Sequence, residues 1–289
     1  MVRTWLWAGI FILFLANIYV WYYAFERSHR NANASLTNLN LLPSQTTPAD
    51  PVEQKGTSPK LASQVAVPIL MYHYIRDYHN PQDPLGEQLS VSPAKFRAQL
   101  SIIKAAGYHT ISVEDFADGK FSGKAIILTF DDGYIDHYTE ALPALQELGM
   151  TATFFIVRDF QDQDRYMTRT QVAELKAAGM EIGSHSLNHK NLATMEYEKA
   201  VTDISLSMVK RDSVFAYPAG KYSSTTIDII DALNIKAAVT TNLGVATENS
   251  SLIELPRIRI KENTDILKRI KEETMIARGE LAPSQRSKD

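Results

Sequence analysis

The sequence predicts an α/β protein: a distorted or incomplete (β/α) barrel of seven to eight parallel strands, preceded by one N-terminal transmembrane helix. Three observations predict it. From Val67 onward, short apolar runs alternate with helix-patterned stretches, the texture of a parallel sheet with helical crossovers. Closure into a barrel is the economical way to bury so many short strands. Ahead of them, Trp5 to Phe25 carries no charge, and at about 1.5 Å per residue it is long enough to cross a bilayer core of about 30 Å.

Trp5 and Trp7 stand at one end of that run and Trp21, Tyr22 and Tyr23 at the other, as aromatic interface belts do. Ala32-Asn33-Ala34 resembles a signal-cleavage site, but the apolar run is longer than a usual signal core. Residues 1–30 therefore read as a retained membrane anchor in contact with the lipid bilayer. Residues 31–66 lack aromatic residues and are rich in Asn, Ser, Thr, Pro and Gln; they read as a flexible linker. The folded domain is expected over 67–275. Its strands are read at 67–72, 109–112, 125–130, 151–157, 180–185, 213–218, 235–239 and 252–260, with helical patterns between them. Ser92-Pro93 supplies an N-cap and a first-turn proline, and Gly107, Gly149 and Gly179 stand where helix-ending glycines belong. Residues 276–289 form a polar C-terminal tail expected to fray.

Composition narrows the chemistry. With 45% apolar and 22% charged residues the chain is globular in character. A net charge of −3 gives no global reason to bind nucleic acid. Cysteine is absent, which excludes disulfides, thiolate metal sites and cysteine nucleophiles. A metal must then be held by histidine and carboxylate.

Barrel chemistry gathers where strands end at the C-terminal face. Four strand ends there carry His73 with Tyr72 and Tyr74, Asp131-Asp132-Gly133, His185 with His189 four residues on, and Pro218-Ala219-Gly220. Asp-Asp-Gly alone reads as a turn, and two histidines alone as surface or capping groups. Together, two histidines and one carboxylate make a facial metal triad with open positions, and the second carboxylate stands where a general base belongs.

These residues carry a resemblance. Thr129-Phe130-Asp131-Asp132-Gly133 resembles the first motif of the polysaccharide deacetylases with a NodB homology domain, carbohydrate esterase family 4. Ser184-His185-Ser186-Leu187-Asn188-His189 resembles the second, H-[ST]-x-x-H, about 50 residues later. The resemblance implies a distorted barrel that removes acetyl groups from extracellular glycans with one divalent metal ion, usually zinc, with cobalt, nickel or manganese also suited to the donor set. It assigns Asp132, His185 and His189 to the metal and Asp131 to the base. It implies a cell-wall or extracellular glycan as partner, and with the N-terminal anchor read above this places the domain outside the cytoplasm of a single-pass membrane protein.

Three departures matter. The third motif, R-x-P-[YF], is matched here by Ala216-Tyr217-Pro218-Ala219, without its arginine and without its final aromatic residue. The Trp-based fourth motif is missing, since all three tryptophans lie in the anchor. The histidine that closes the fifth motif is missing too, because Leu255-Pro256-Arg257-Ile258-Arg259 stands there. The ILMYH and FAYPxG strings resemble instead the subgroup that deacetylates poly-N-acetylglucosamine, in which the N-terminal Tyr-His supplies the acid-side histidine. His73 is accordingly the expected general acid, a donor suited to near-neutral pH. Arg257 is the candidate to hold Asp131, with a rim salt bridge as its alternative. The Ala219 N–H is the expected oxyanion donor. Tyr74, Tyr134, Tyr217, Pro218 and Ala219 are expected at the substrate, and Tyr222 also as a stacking ring. The expected activity is N-deacetylation of N-acetylglucosamine-type residues. A xylan-type O-acetyl esterase and a non-catalytic glycan-binding barrel are the alternatives. The intact base argues against the last, because a lectin has no use for one.

Overall fold

The computed structural model describes residues 65–208 and 214–287. Seven strands form its centre: β1 (Ile69–Tyr72), β2 (Ala125–Phe130), β3 (Thr153–Ile156), β4 (Glu181–Ser184), β5 (Val214–Ala216), β6 (Ala237–Leu243) and β7 (Leu255–Arg259). Each pairs in parallel with the next, and β7 returns to β1, closing the ring. The barrel is complete, yet distorted. β4 and β5 share one paired position, Ser184 with Phe215, and the register of β6 against β7 shifts between Val239 and Leu243. The run at 109–112 yields only a two-residue strand, His109–Thr110, beside the start of β2. β1 takes over that edge from Ile127, so this eighth strand lies outside the ring.

The strands alternate between two apolar clusters. Leu70, Tyr72, Leu128, Phe130 and Phe154 pack with Phe96, Leu100 and Ile103 of helix α1 (Pro93–Ala105). Ile69, Ile127, Phe155, Val239 and Leu255 belong to a second cluster. The period of two that separates them also decides the site. Thr129 and Asp131 fall on the side of Ile127, and Arg257 on the side of Leu255.

The longer helices that follow α1 are α2 (Leu142–Leu148), α3 (Arg169–Ala177), α4 (Tyr197–Ser207), α5 (Ser224–Ala232) and α6 (Ile266–Ala277). Ser92, Thr168, Ser223 and Asp265 each accept a backbone N–H of the first turn they cap. The helix expected near His137 begins as a π-helical turn, His137–Ala141, before α2 takes over. The polar tail from Ile276 departs from expectation. It carries the end of α6, and Arg286 then grips the buried Glu273 carboxylate with two bonds of 2.6 and 2.7 Å.

Among the described residues, no helix is long and apolar enough to cross a membrane. The anchor expected at 1–30 lies outside them.

Candidate active site

β2 runs straight into the acidic pair. Asp131 still belongs to the ladder, its N–H donating to the Tyr72 carbonyl at 3.1 Å. The chain then turns sharply: Asp132 and Gly133 both lie in the left-handed region, at φ 78° and 82°. For an aspartate that conformation persists only where the surroundings impose it. The turn sends the two carboxylates to different partners.

Asp131 meets Arg257, whose guanidinium donates to both carboxylate oxygens, at 2.8 and 2.7 Å. The same guanidinium donates to the Thr240 carbonyl at 2.8 Å and the Thr129 hydroxyl at 3.0 Å. Arg257 is 1% exposed and Asp131 2%, so the rim salt bridge is not what forms. Burial alone would raise the Asp131 carboxyl. The charge and hydrogen bonds of Arg257 outweigh it and bring the group down to about 2. The sequence assigned no role of its own to Thr129 or Thr240. Thr129 had a signal, since it stands two residues before Asp131 and shares its face of β2.

Asp132 faces the histidines. Its Oδ1 lies 3.4 Å from His185 Nε2 and 3.3 Å from His189 Nε2. His185 Nδ1 sits 2.8 Å from the Ala216 carbonyl oxygen, which can only accept. That bond leaves the Nε2 lone pair of the neutral ring aimed at a carboxylate oxygen. Asp132 Oδ1 is itself buried without a hydrogen-bond partner. Acceptors turned on one another this closely repel unless a proton or a cation lies between them. One ligand atom from each of the three residues lies within 4.8 Å of the others. The donor set, two imidazoles and a carboxylate, fits a divalent cation with positions left open.

Burial works against charge at each of these groups. At Asp132 it is outweighed by His185, His73 and His189, and the carboxyl stays well below its usual range. At His185 it is outweighed by Asp132 and Asp131, and the imidazole is raised. At His189 burial prevails, helped by His185, and the imidazole is lowered.

Residues 118–238 match the polysaccharide deacetylase family. That stretch holds Asp131, Asp132, His185 and His189 but neither His73 nor Arg257. The Streptococcus pyogenes deacetylase PplD, solved with acetate, is 32% identical; the alignment covers 72% of this chain and 99% of PplD, with a TM-score of 0.65. This chain belongs to the polysaccharide deacetylase family. It is a hydrolase of that family. The Bacillus subtilis protein YxkH, which carries a polysaccharide deacetylase name, is 29% identical over 70% of this chain and 74% of its own length. The poly-β-1,6-N-acetyl-D-glucosamine N-deacetylase of Escherichia coli is 23% identical over 65% of this chain. The match spans 36% of that enzyme, about a third of its length.

The remaining expected site residues of this deacetylase sort into two groups. His73 stands beside Asp131, its Nε2 3.9 Å from Asp131 Oδ2 and its Nδ1 buried without a partner. Burial pushes its imidazole down to about 4, against the pull of Asp131 and Asp132. A histidine already protonated near neutral pH is therefore not what the fold provides. Ala219 lies in the turn Pro218–Gly220 at φ 51°. Gly220 in that turn has no room for a side chain, as a Cβ would stand 1.9 Å from Thr241 Oγ1.

The tyrosines are placed differently from expectation. Tyr217 is fully buried, its hydroxyl donating to the Ile253 carbonyl at 2.9 Å. It backs Tyr222 at a ring distance of 4.4 Å and cannot itself stack on a sugar. Tyr74 and Tyr134 pack on each other at 4.1 Å, with their hydroxyls 2.9 Å apart. Arg76 covers the Tyr74 ring at 3.5 Å, and Tyr166 stacks on Tyr134 at 5.1 Å. With their faces taken, these rings offer a ligand edges and hydroxyls. Half-buried Tyr222 remains the stacking candidate, positioned by bonds to Glu254 and Asn242 at 3.1 Å each. Of the other histidines, His79 is exposed and paired with Glu87, and His109 is exposed. His137 is fully buried, its Nε2 against the His73 carbonyl oxygen.

Proposed function

We propose that the protein is a membrane-anchored, divalent-cation-dependent hydrolase that removes N-acetyl groups from N-acetylglucosamine-type residues of polysaccharide outside the cytoplasm. One observation carries the reading: a buried, arginine-held carboxylate adjoins a carboxylate and two imidazoles turned on one another. The names of relatives in two bacteria, poly-β-1,6-N-acetyl-D-glucosamine N-deacetylase, support the choice of polymer. The uncharged run from Trp5 to Phe25 supports the tether.

A divalent cation held by Asp132, His185 and His189, with zinc the expected ion and cobalt, nickel or manganese suited to the same donors, would polarise the acetyl carbonyl and acidify the attacking water. Asp131 takes the proton of that water as its oxygen bonds to the acetyl carbon. Arg257 keeps both Asp131 oxygens in place and blocks their rotation. The Ala219 N–H donates to the oxyanion that forms. The C–N bond then breaks, acetate leaves, and the sugar nitrogen takes a proton from His73. Because His73 is neutral at rest, it must acquire that proton during the reaction. Asp131, 3.9 Å away, is the group that has just gained one.

The test is acetate release by the full-length chain from poly-β-1,6-N-acetylglucosamine, chitin oligomers, peptidoglycan and O-acetylated xylan, with and without chelator. Release from N-acetylated polymers, abolished by chelator, is expected. Release from xylan alone would make the enzyme an ester hydrolase, and chelator-resistant release would remove the cation from the mechanism.

His73→Ala should keep the cation and lower kcat by about 10²–10⁴-fold with little change in KM. A variant within about tenfold of the parent would exclude His73 as the donor. For topology, a reporter joined after Asp289 should be active in its exported form only. Activity of a cytoplasmic-only reporter would rule out an extracellular substrate.

A further inference from the structure

The segment between His185 and His189 is held in an unfavourable shape. Ser186 and His189 lie at φ 66° and 58°, where residues other than glycine stay only if their surroundings compel them. Much of the restraint comes from α4. Asp203, 4% exposed, accepts the Leu187 N–H at 2.9 Å and hydrogen-bonds the Ser186 hydroxyl. The Ser186 oxygen in turn accepts the His189 N–H at 2.9 Å. One turn along, Ser207 Oγ lies 2.6 Å from Ser184 Oγ, on the residue before His185. Two side chains four residues apart on α4 thus grip the segment on both sides of His185.

Of the two histidines, His189 depends more on this grip. The His185 ring has its own anchor in the Ala216 carbonyl. The His189 side chain is 29% exposed, and its place follows from where the backbone at 186–189 is set. A carboxylate is an odd choice for the buried face of α4, where its neighbours Ala200 and Ile204 belong to an apolar cluster. Its hydrogen bonds to Ser186 and Leu187 account for it.

We infer that Asp203 is a positioning residue that acts through Ser186 to place His189, and so sets the affinity of the site for its cation. The inference rests on the reading of Asp132, His185 and His189 as a cation site. Asp203 touches neither cation nor substrate; partners at one remove from a ligand commonly change metal affinity by about 10–100-fold.

The experiment titrates Zn²⁺ against a chromophoric chelator for the full-length chain and for Asp203→Ala, Asp203→Asn, Ser186→Ala and the double variant Asp203→Ala/Ser186→Ala. Thermal midpoints of the metal-free proteins are recorded alongside. Asp203→Ala and Ser186→Ala should each weaken zinc binding by about 10–100-fold. Asp203→Asn, which keeps an acceptor for Leu187, should recover part of the loss. The double variant should be no weaker than the worse single one, because both changes break one relay. Zinc affinity in a folded Asp203→Ala within about threefold of the parent, or losses that add in the double variant, would overturn the inference. If Asp203→Ala does not fold, unchanged affinity in Ser186→Ala and Asp203→Asn overturns it equally. A parent protein that binds no zinc would instead bring down the cation reading, and the inference with it.

Discussion

Arg257→Leu should cost about 3–5 kcal/mol of stability at neutral pH, because it leaves a buried carboxylate without its counter-charge. The loss should depend on pH with a definite sign. In the parent, the Asp131 carboxyl is brought from 3.8 down to about 2. It therefore contributes stability that is present above the unfolded value and is lost as pH falls through about 2. Without Arg257, burial dominates and the folded value rises above the unfolded one. The variant then suffers most at neutral pH and recovers as acid protonates Asp131. Thermal midpoints of the metal-free proteins at about pH 7 and about pH 4.5 should show the gap narrowing. A gap independent of pH would mean that Arg257 acts through packing alone. Activity should fall by about 10²–10⁴-fold, since the base is then neutral or misplaced. Arg257→Lys should not restore it, because an ammonium cannot match the two-pronged contact.

The double variant His185→Ala/His189→Ala should bind no divalent ion, and its acetate release should fall to the uncatalysed background. Its metal-free form should be less stable than the metal-free parent at neutral pH, because His185 and His189 help to hold the buried Asp132 carboxyl below its usual range, and their loss leaves that charge poorly compensated. Elemental analysis and thermal denaturation in chelator check the two halves. Full metal occupancy in this variant would show that the ligand set is wrong, and unchanged metal-free stability would show that the rings do not offset the Asp132 charge.

Much of the barrel could be read directly from the chain. β2 and β3 are continuous apolar runs bounded by turn residues, a signal that survives without tertiary knowledge. The helix starts at Ser92 and Thr168 are equally local. Where the reading strayed, the deciding contact was distant. The stretch at 109–112 has strand character, but β1 occupies most of the β2 edge it would need. The tail from Ile276 is polar and looked free, yet Arg286 is drawn back to Glu273 on α6.

The same division runs through the site. Asp131, Asp132, His185 and His189 were legible as a cluster through residue type, short spacing and position at strand ends, and the family resemblance supplied the role expected of each. Arg257 was legible as a candidate, through the arginine missing before Pro218. Its burial and its four hydrogen bonds were not, since they join β7 to β2 and β6. Nor could the sequence show that His73 is neutral at rest, because that depends on how deeply other elements bury it. The packing of Tyr74 against Tyr134 likewise joins rings 60 residues apart, and the brace from Asp203 to Ser186 crosses from a helix to a loop. By itself the sequence determined the alternation of strands and helices, the chemical identity of the acidic pair and the two histidines. Only the tertiary structure decided which side chains hold them, which face each other unsatisfied and which charge each carries, because burial and contact between distant segments set those energies and no local pattern encodes them.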